Sequence, residues 1–396
     1  MFKGKKVVLG VCGGIAVYKA IELLRLMVKA GADVSVVMTA SAREFVTPLT
    51  FQTLSSNPVH SDLFDLYQEK EIGHISLADG ADLFVIAPAT ANVIGKIAGG
   101  IADDLLTTTV MATRAPVLFA PAMNVHMYEN PIYRRNEQSL RELGYHFIDP
   151  AIGALACGYE GQGKLPEPES IFAAAQKVLA PQDLAGQKLL ITAGPTREEL
   201  DPVRYLSNYS SGKMGYAIAN AAVQRGAEVV LVSGPTFLSA PEGVELIPVV
   251  SAEQMRSRVL SALPAATAVV KAAAVADYRP VDVAEQKIKK NDAELSVVLE
   301  KNPDILAEVG QQKQGQVLVG FAAETEDLLK HASDKLKRKK LDLIVANDIT
   351  QSGAGFDVDT NIVKLLHADG RVEELPQLSK DEVAHQLLDR VVELLA

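Results

Sequence analysis

The chain has 396 residues, of which 48% are hydrophobic and 22% are charged, a globular composition and a length that predict two or three domains. Its formal net charge of −10 argues against general affinity for nucleic acid, so any anionic ligand must be held by local basic groups. Two cysteines are too few for a disulfide framework, and no apolar run approaches the roughly 18 residues of a membrane-spanning helix, so we expect a cytoplasmic protein that does not associate with a membrane.

The first half of the chain begins with a strand–helix–strand pattern. Residues 7–11 form an apolar run that predicts a buried strand, and residues 34–38 predict a second one. Between them, apolar residues at helical spacing predict a helix over residues 15–30, which ends before Gly31. Such units build parallel sheets with right-handed connections, so we expect an α/β domain.

Ligand-binding loops are expected where the strands of this sheet end. Two further predicted strands, residues 82–87 and 116–120, each lead into a polar loop that contains proline, residues 88–92 and 121–124. In open α/β sheets, ligands bind at the carboxyl ends of the strands. Gly13-Gly14 follows the first strand and would let a phosphate approach the start of the next helix. A tight turn explains the pair equally well, and the lack of a third glycine argues against a standard dinucleotide site.

Three side chains of the first half can carry chemistry together. His74 precedes a predicted strand, Asn124 lies in the loop after one, and Cys157 lies in a glycine-rich stretch that predicts a mobile flap. A thiol on an exposed flap can exchange a proton with a ligand. Each residue also has a purely structural explanation, because the histidine can cap a loop, the asparagine can fix a turn and the cysteine can be inert.

The strand–helix–strand pattern begins again in the second half. Residues 188–192 predict a strand, residues 214–225 a helix and residues 228–232 another strand. Later apolar runs that predict strands are residues 268–272, 317–321 and 343–346. The repetition predicts two doubly wound, Rossmann-like α/β domains, over residues 1–185 and 186–396.

Basic and capping residues of the second half indicate an anion site. The Ser-Ser-Gly sequence of residues 210–212 precedes the predicted helix and can cap it or present N–H groups to an anion. Asp277 follows a predicted strand, where a carboxylate suits a ribose or a metal ion. Residues 286–290 and 335–340 are basic clusters. Such a run is usually a solvated helix face, but two clusters beside strand ends in an acidic chain favour a triphosphate ligand.

The motifs of the first half resemble those of the homo-oligomeric flavin-containing cysteine decarboxylases. The resemblance is carried by residues 121–128, their substrate-binding motif, residues 88–92, their flavin loop, residues 156–158, their substrate flap, and His74, their active-site histidine. With the second half included, nearly the whole chain resembles the bacterial bifunctional phosphopantothenoylcysteine decarboxylase/phosphopantothenate–cysteine ligases. Tyr128, where many relatives have tryptophan, is one of the few departures.

The resemblance implies an N-terminal, flavodoxin-like flavoprotein domain that uses FMN to decarboxylate 4′-phosphopantothenoylcysteine to 4′-phosphopantetheine. Oxidation of the thiol end to a thioaldehyde would let carbon dioxide leave. Cys157 would supply the proton to the product, and His74 would be the base or orienting group near the thiol. Asn124 would bind the carboxylate or amide of the substrate, and Met127 would line the same site. The positions that match FMN-binding residues are Gly13, Gly14, Thr39, Pro88, Ala89, Thr90 and Asn92.

The same resemblance implies a C-terminal nucleotide-binding ligase domain that joins 4′-phosphopantothenate to cysteine with CTP and Mg²⁺. CTP would first convert the carboxylate to an acyl-cytidylate, which Asn208 would stabilise, although Tyr209 replaces the usual histidine beside it. Lys287 would act in the second half-reaction, in which the amine of cysteine attacks. The resemblance assigns no metal ligands. The positions that match CTP-binding residues are Lys271, Ala272, Ala273, Asp277, Lys301, Asn302, Pro303, Asp304, Phe321, Lys335 and Lys339.

The resemblance also implies an assembly, and two alternatives stay open beside it. It implies a homo-oligomer with trimeric flavin domains and dimeric ligase domains, a dodecamer, whose partners are small-molecule substrates. A nicotinamide-dependent Rossmann oxidoreductase would explain the strand–helix pattern but not the flap cysteine or the paired lysine clusters. A catalytically inactive regulatory flavoprotein is disfavoured, because His74, Asn124 and Cys157 are all present.

Overall fold

The computed structural model describes residues 1–63, 73–154, 158, 160–289, 295–324, 328–348, 355 and 358–396. The chain divides into two compact units, residues 1–181 and 182–396. Leu184 is buried in the core of the second unit, and Asp183 forms an ion pair with Arg225 at 2.5 Å, so both residues belong to that unit, whereas the predicted boundary lies after them. Within the described residues, no helix is both long and apolar enough to cross a membrane.

The first unit is built on a parallel sheet. Its strands are β1 (Lys6–Val11), β2 (Asp33–Met38), β3 (Val59–His60), β4 (Leu83–Ala89), β5 (Val117–Pro121), β6 (His146–Phe147), β7 (Ala151–Ala154) and β8 (Glu160–Lys164). Its helices are α1 (Val17–Lys29), α2 (Ala40–Arg43), α3 (Pro48–Ser55), α4 (Gly73–Gly80), α5 (Ala91–Ala98), α6 (Leu105–Ala112), α7 (Val125–Tyr128), α8 (Pro131–Glu142) and α9 (Pro168–Leu179). The sheet order is β3-β2-β1-β4-β5-β6, and β7 and β8 form a separate antiparallel hairpin. Since β1 lies between β2 and β4, the chain leaves the centre in both directions, and the carboxyl ends of β1 and β4 form a topological switch point.

Burial explains the central strands of this sheet. Every residue of β4 is buried, as expected for a parallel strand that is covered by helices on both faces. Helices α1, α3 and α9 contribute Leu24, Phe51 and Ile171 to the core on one face, while α5 and α8 contribute Ile94 and Leu140 to the core on the other. The strands predicted after residue 80 are present as β4 and β5, and both extend into the proline-containing loops.

The second unit is built on a larger, mixed sheet. Its strands are β9 (Lys188–Ala193), β10 (Arg197–Asp201), β11 (Arg204–Ser207), β12 (Glu228–Ser233), β13 (Val244–Pro248), β14 (Ala268–Lys271), β15 (Tyr278–Pro280), β16 (Leu299–Lys301), β17 (Val317–Glu324), β18 (Leu343–Asp348), β19 (Thr360–Asn361), β20 (Val363–His367), β21 (Val372–Glu374) and β22 (Leu378–Ser379). Its helices are α10 (Lys213–Gln224), α11 (Ala252–Ala262), α12 (Ile305–Gln312), α13 (Leu328–Arg338) and α14 (Lys380–Leu395), with a 3-10 helix over Leu263–Ala265. The sheet order is β13-β12-β9-β14-β17-β18-β20-β21, in which β20 and β21 are antiparallel to their neighbours.

Helices cover both faces of this second sheet. Helices α10 and α14 pack on one face, and α11, α12 and α13 pack on the other. Two-stranded sheets β10–β11, β15–β16 and β19–β22 lie outside the main sheet. The predicted parallel strands are all present, so the α/β class of both halves is confirmed, whereas the antiparallel edge strands β20 and β21 were not predicted.

Candidate active sites

The first candidate site lies at the switch point of the first unit. Thr39 follows β2 and caps α2 with its hydroxyl. Pro88 and Ala89 are the last residues of β4, and Thr90 caps α5 in the same way. Asn92 is exposed in the first turn of α5. The structure therefore brings the positions predicted to bind flavin to the carboxyl edge of one sheet.

Gly13 and Gly14 are glycines for different reasons. A Cβ on Gly13 would lie 2.4 Å from the Cβ of Ser41, so close packing excludes any side chain there. A Cβ on Gly14 would meet no atom of the described residues within 4 Å. The backbone of Gly14 therefore borders open space before α1, and this space fits a phosphate-bearing group held near the N-terminus of a helix.

Cys12 lies beside this site, directly after β1, but it is not reactive. Its side chain is only 1% exposed. Burial raises the pKa of the thiol to about 12, although hydrogen bonds with Thr90 oppose this effect. At neutral pH the thiol is therefore protonated, and a protonated thiol is a poor nucleophile.

The β7–β8 hairpin packs on the loop that follows β5. Met123 N donates a hydrogen bond to Gly163 O at 3.0 Å, and a Cβ on Gly163 would lie 2.4 Å from Met123 O. Asn124 caps α7, where its Oδ1 accepts a hydrogen bond from His126 N at 2.9 Å. Met127 follows on α7 with a half-exposed side chain. The hairpin and the loop that carries Asn124 are thus joined by a contact that only glycine permits.

Of the other two predicted catalytic residues of the first unit, the structure describes His74 but not Cys157. His74 lies on α4, and its Nδ1 is buried without a hydrogen-bond partner among the described residues. Buried polar atoms usually have a partner, and a ligand that reaches His74 would supply one. Cys157 lies outside the described residues, between strands β7 and β8.

The second candidate site is a cavity of about 1140 Å³ in the second unit. It lies at the carboxyl ends of β14, β17 and β18, and residues of α10, α12, α13 and α14 also line it. The predicted site residues that line this cavity are Asn208, Lys271, Ala272, Ala273, Asp277, Lys301, Asn302, Pro303, Asp304, Phe321, Lys335 and Lys339. Residues that are more than a hundred positions apart in the sequence therefore meet in one site.

Two buried threonines shape the loop after β14. Thr192 Oγ1 accepts a hydrogen bond from Ala273 N at 3.2 Å, and Thr196 Oγ1 accepts one from Ala276 N at 3.0 Å. Asn302 then ties the loop to the next wall, since its Nδ2 donates to Ala276 O at 2.9 Å. The threonine side chains are completely buried, and sequence reasoning missed both of them.

The charges of the cavity are predominantly basic. Lys335 Nζ donates to Phe321 O at 2.9 Å, and Lys339 Nζ pairs with Asp304 at 2.8 Å. Burial, followed by the positive charges of Lys335 and Lys339, lowers the pKa of Lys271 to about 8. Burial is the largest single influence on Asp304 and opposes its ionisation, but the hydrogen bonds from Lys339 and Ala307 N and the charges of Lys339 and Lys271 together outweigh burial and lower the pKa of that carboxyl. Crowded lysines of this kind are stabilised by a polyanion such as a triphosphate.

The structure separates the two predicted basic clusters. The cluster at residues 335–340 contributes to the cavity, whereas Lys287 is exposed and is not among the residues that line it. Helix α10 is capped by Gly212, whose φ is +80°, rather than by a serine side chain. Lining residues that the sequence did not single out include His331, Asn347, Asn361 and Lys380. Asn347 directly follows a predicted apolar strand, and this position could have identified it as a site residue.

A metal ion in this cavity would need coordinating atoms from a bound substrate as well as from the protein. Among the residues described, no group of three or more His, Cys, Asp and Glu side chains could hold a metal ion. Asp277 and Asp304 line the cavity. These carboxylates fit a Mg²⁺ ion that takes most of its ligands from phosphate oxygens and water.

The fold and the two sites define a two-domain α/β enzyme with a ligand site at the carboxyl edge of each sheet. Residues 1–180 match the flavoprotein family, and residues 184–395 match the DNA/pantothenate metabolism flavoprotein C-terminal domain. The chain is 53% identical over its whole length to the coenzyme A biosynthesis bifunctional protein CoaBC of Bacillus subtilis, of which it covers 98%. It is 46% identical over 98% of its length to the protein of that name from Escherichia coli K12, of which it covers 97%. The chain therefore belongs to the family of coenzyme A biosynthesis bifunctional proteins.

Solved structures resemble each part of the chain. The C-terminal domain of a coenzyme A biosynthesis bifunctional protein CoaBC is 45% identical, covers 54% of this chain and 98% of its own, and has a TM-score of 0.47. A PPC decarboxylase mutant complexed with pantothenoylaminoethenethiol is 34% identical, covers 43% of this chain and 96% of its own, and has a TM-score of 0.39. Family membership itself confirms the predicted bifunctional enzyme of coenzyme A biosynthesis with an N-terminal flavoprotein domain. It sets aside the nicotinamide-dependent oxidoreductase.

Proposed function

We propose that the second unit joins 4′-phosphopantothenate to cysteine with CTP, through an acyl-cytidylate. The observation that carries this proposal is the basic cavity, in which Lys271, Lys335 and Lys339 converge at the carboxyl ends of the parallel strands β14, β17 and β18. A carboxylate is a poor electrophile at neutral pH, and its transfer to CMP creates a mixed anhydride with a good leaving group. The amine of cysteine then forms the amide and releases CMP.

The residues of the cavity divide this work. The three lysines bind the triphosphate, with Mg²⁺ between its oxygens, and Asp277 binds the ribose. Asn208 Nδ2 donates to Val275 O at 3.0 Å, which orients this amide beside the loop after β14 to stabilise the acyl-cytidylate. Lys287, which is exposed, acts when cysteine attacks.

We propose that the first unit decarboxylates the product of this ligation, 4′-phosphopantothenoylcysteine, to 4′-phosphopantetheine. FMN supplies the oxidation and the later reduction that this decarboxylation needs, and the flavoprotein match supports it. The open space at Gly14 and the caps Thr39 and Thr90 hold the cofactor. The hydrogen bond from His126 N fixes the amide of Asn124, whose N–H groups donate to the substrate carboxylate. His74 orients the thiol end of the substrate, and Cys157 gives the proton to the product.

The proposed assembly and location rest on the sequence resemblance and not on a contact in the structure. We propose trimers of the first unit and dimers of the second, which together make a dodecamer in the cytoplasm. The resemblance implies that the flavin sites lie between the subunits of such a trimer. A monomer of this chain is therefore expected to lack decarboxylase activity.

One incubation tests both activities. The purified, flavin-loaded chain is mixed with 4′-phosphopantothenate, cysteine, CTP and Mg²⁺, with ATP in a parallel tube, and the products are read by mass spectrometry. The expected products are 4′-phosphopantetheine and CMP. Accumulation of 4′-phosphopantothenoylcysteine alone would contradict the decarboxylase proposal. No product with either nucleotide, from folded protein, would overturn the ligase proposal.

A further inference from the structure

Asn347 is a cavity residue to which the proposed reaction assigns no role. It lies near the end of β18, its residue is 8% exposed, and it lines the cavity. Its Oδ1 is buried and has no hydrogen-bond partner among the described residues. An unpaired buried oxygen destabilises the folded protein unless a ligand or water pairs with it.

The register of the sheet places Asn347 beside an aromatic residue. Phe321 of β17 lies opposite Val345 of β18, and Asn347 is two positions further along β18. Successive side chains of a strand point to opposite faces, so residues 345 and 347 share a face. Val345 and Phe321 pack in the core under α10 and α14. Phe321 and Asn347 are therefore diagonal neighbours on one face of the sheet, and both line the cavity.

The side chains of Asn347 and Phe321 restrict which chemical groups can bind beside them in the cavity. The free Oδ1 of Asn347 accepts a hydrogen bond, so it requires an N–H or O–H donor and repels a phosphate oxygen. The partly exposed ring of Phe321 offers a planar apolar surface, on which a nucleobase can stack. The basic side chains Lys335 and Lys339 lie on α13 or directly after it, on the opposite face of the sheet. Lys213 and Lys380 also line the cavity, from α10 and α14 on the face that carries Asn347. A nucleotide whose phosphates lie at Lys335 and Lys339 would place its base, with the N–H donors of that base, at Asn347.

We propose that Asn347 determines base specificity by accepting a hydrogen bond from the exocyclic amino group of a base stacked on Phe321. The proposal rests on the nucleotide-dependent ligation described above. Cytosine and adenine carry an exocyclic amine, whereas uracil and hypoxanthine carry a carbonyl oxygen at the corresponding position. A carbonyl would face the Oδ1 of Asn347 without a proton between them, and the nucleotide would be rejected.

The test compares nucleotide pairs that differ in this exocyclic group and in the protonation of the ring nitrogen beside it. Ligation is measured as kcat/KM with CTP, UTP, ATP and ITP for the full chain and for Asn347→Leu and Asn347→Asp. Leucine has a similar shape but no acceptor, so the preference for CTP over UTP should fall at least tenfold. Aspartate keeps only acceptors, so the preference should persist or increase. If ATP is the better substrate, the same changes are expected in the ratio of ATP to ITP.

A matched control is available among the other lining residues of the cavity. Asn361 also lines the cavity and is 3% exposed, but its Oδ1 already accepts a hydrogen bond from Ile362 N at 3.1 Å. Asn361→Leu should therefore leave the CTP-to-UTP ratio unchanged, whatever it does to stability. An unchanged ratio in folded Asn347→Leu would overturn the proposal. Failure of the unsubstituted chain to ligate with any nucleotide would instead refute the ligase function itself.

Discussion

Lys271 is a cation whose charge depends on its surroundings in the cavity. Burial and the neighbouring charges of Lys335 and Lys339 lower its pKa to about 8. Below that pH the amine is protonated and attracts a triphosphate, and above it the amine is neutral and this attraction is lost. A bound triphosphate favours the protonated form, so binding near pH 8 takes up protons.

We predict that CTP affinity falls as the pH rises above about 8, by at most about tenfold per pH unit. The triphosphate contributes little to this change, because a phosphate monoester has its second pKa at about 6. Titration calorimetry at several pH values, in buffers of different ionisation enthalpy, measures both the affinity and the proton uptake. Lys271→Arg stays charged throughout, so its affinity should be flat over the same range. A flat profile for the unsubstituted chain would contradict the prediction.

The sequence predicts site residues that end or follow an apolar run. It misses residues whose role depends on which distant strand they lie beside. Lys271 and Asp277 stand after a buried strand, which marks the carboxyl edge of a parallel sheet. Asn347 ends a similar run, but only the pairing of β18 with β17 brings it beside Phe321. Thr192 resembles any strand residue, because its hydrogen bond to Ala273 N is a tertiary contact.

At the scale of elements, the β7–β8 hairpin depends on one close approach to the loop after β5. Gly163 and Gly153 have nearly the same φ, 156° and 157°, so alanine meets the same backbone preference at both positions. Their surroundings differ, since a Cβ on Gly163 would lie 2.4 Å from Met123 O, while the nearest described atom to a Cβ on Gly153 would be Lys164 Cδ at 4.0 Å. The two glycines are therefore a matched pair.

We predict that Gly163→Ala lowers decarboxylation at least tenfold and leaves ligation unchanged. The added methyl group pushes the hairpin away from Met123 and breaks the hydrogen bond from Met123 N, which moves the loop that carries Asn124. Gly153→Ala should retain most of the activity. Decarboxylation and ligation are both followed by mass spectrometry of the same sample. Equal loss of decarboxylation in the two variants would show that backbone conformation, rather than the contact, matters.

The elements that the sequence predicted are those with a strong apolar signal. Parallel strands such as β4 are buried on both faces and appear as continuous apolar runs. The edge strand β21 has three residues, two of them exposed, so its sequence carries no such run. Its place is fixed instead by pairing with β20.

At the scale of the whole molecule, each unit has its own core, and Arg225 fixes the point where the chain enters the second one. Arg225 is 2% exposed and pairs with Asp183 at 2.5 Å and with Asp389 of α14 at 2.7 Å. It also donates to His385 O at 3.1 Å. The first residues of the second unit are thereby tied to its last helix.

We predict that Arg225→Ala destabilises the second unit by roughly 2–3 kcal/mol, because two partly buried carboxylates lose their partner. For a unit of this size, the midpoint temperature of thermal unfolding should fall by about 5–10 °C. The release of flavin on heating reports on unfolding of the first unit, and its midpoint temperature should not change. Arg256→Ala is the control, since Arg256 forms more exposed pairs with Glu253 and Glu308 and should cost less than about 1 kcal/mol. A parallel shift of flavin release would refute the independence of the units.

The buried thiol of Cys12 has a practical consequence for experiments on the native chain. Because its pKa is raised to about 12 and its side chain is 1% exposed, a maleimide or iodoacetamide reagent should leave it untouched while the protein is folded. The chain contains one other cysteine, Cys157. Any spectroscopic label that the folded, unmodified protein takes up at cysteine would therefore be at that residue, without any need to remove Cys12 by mutation.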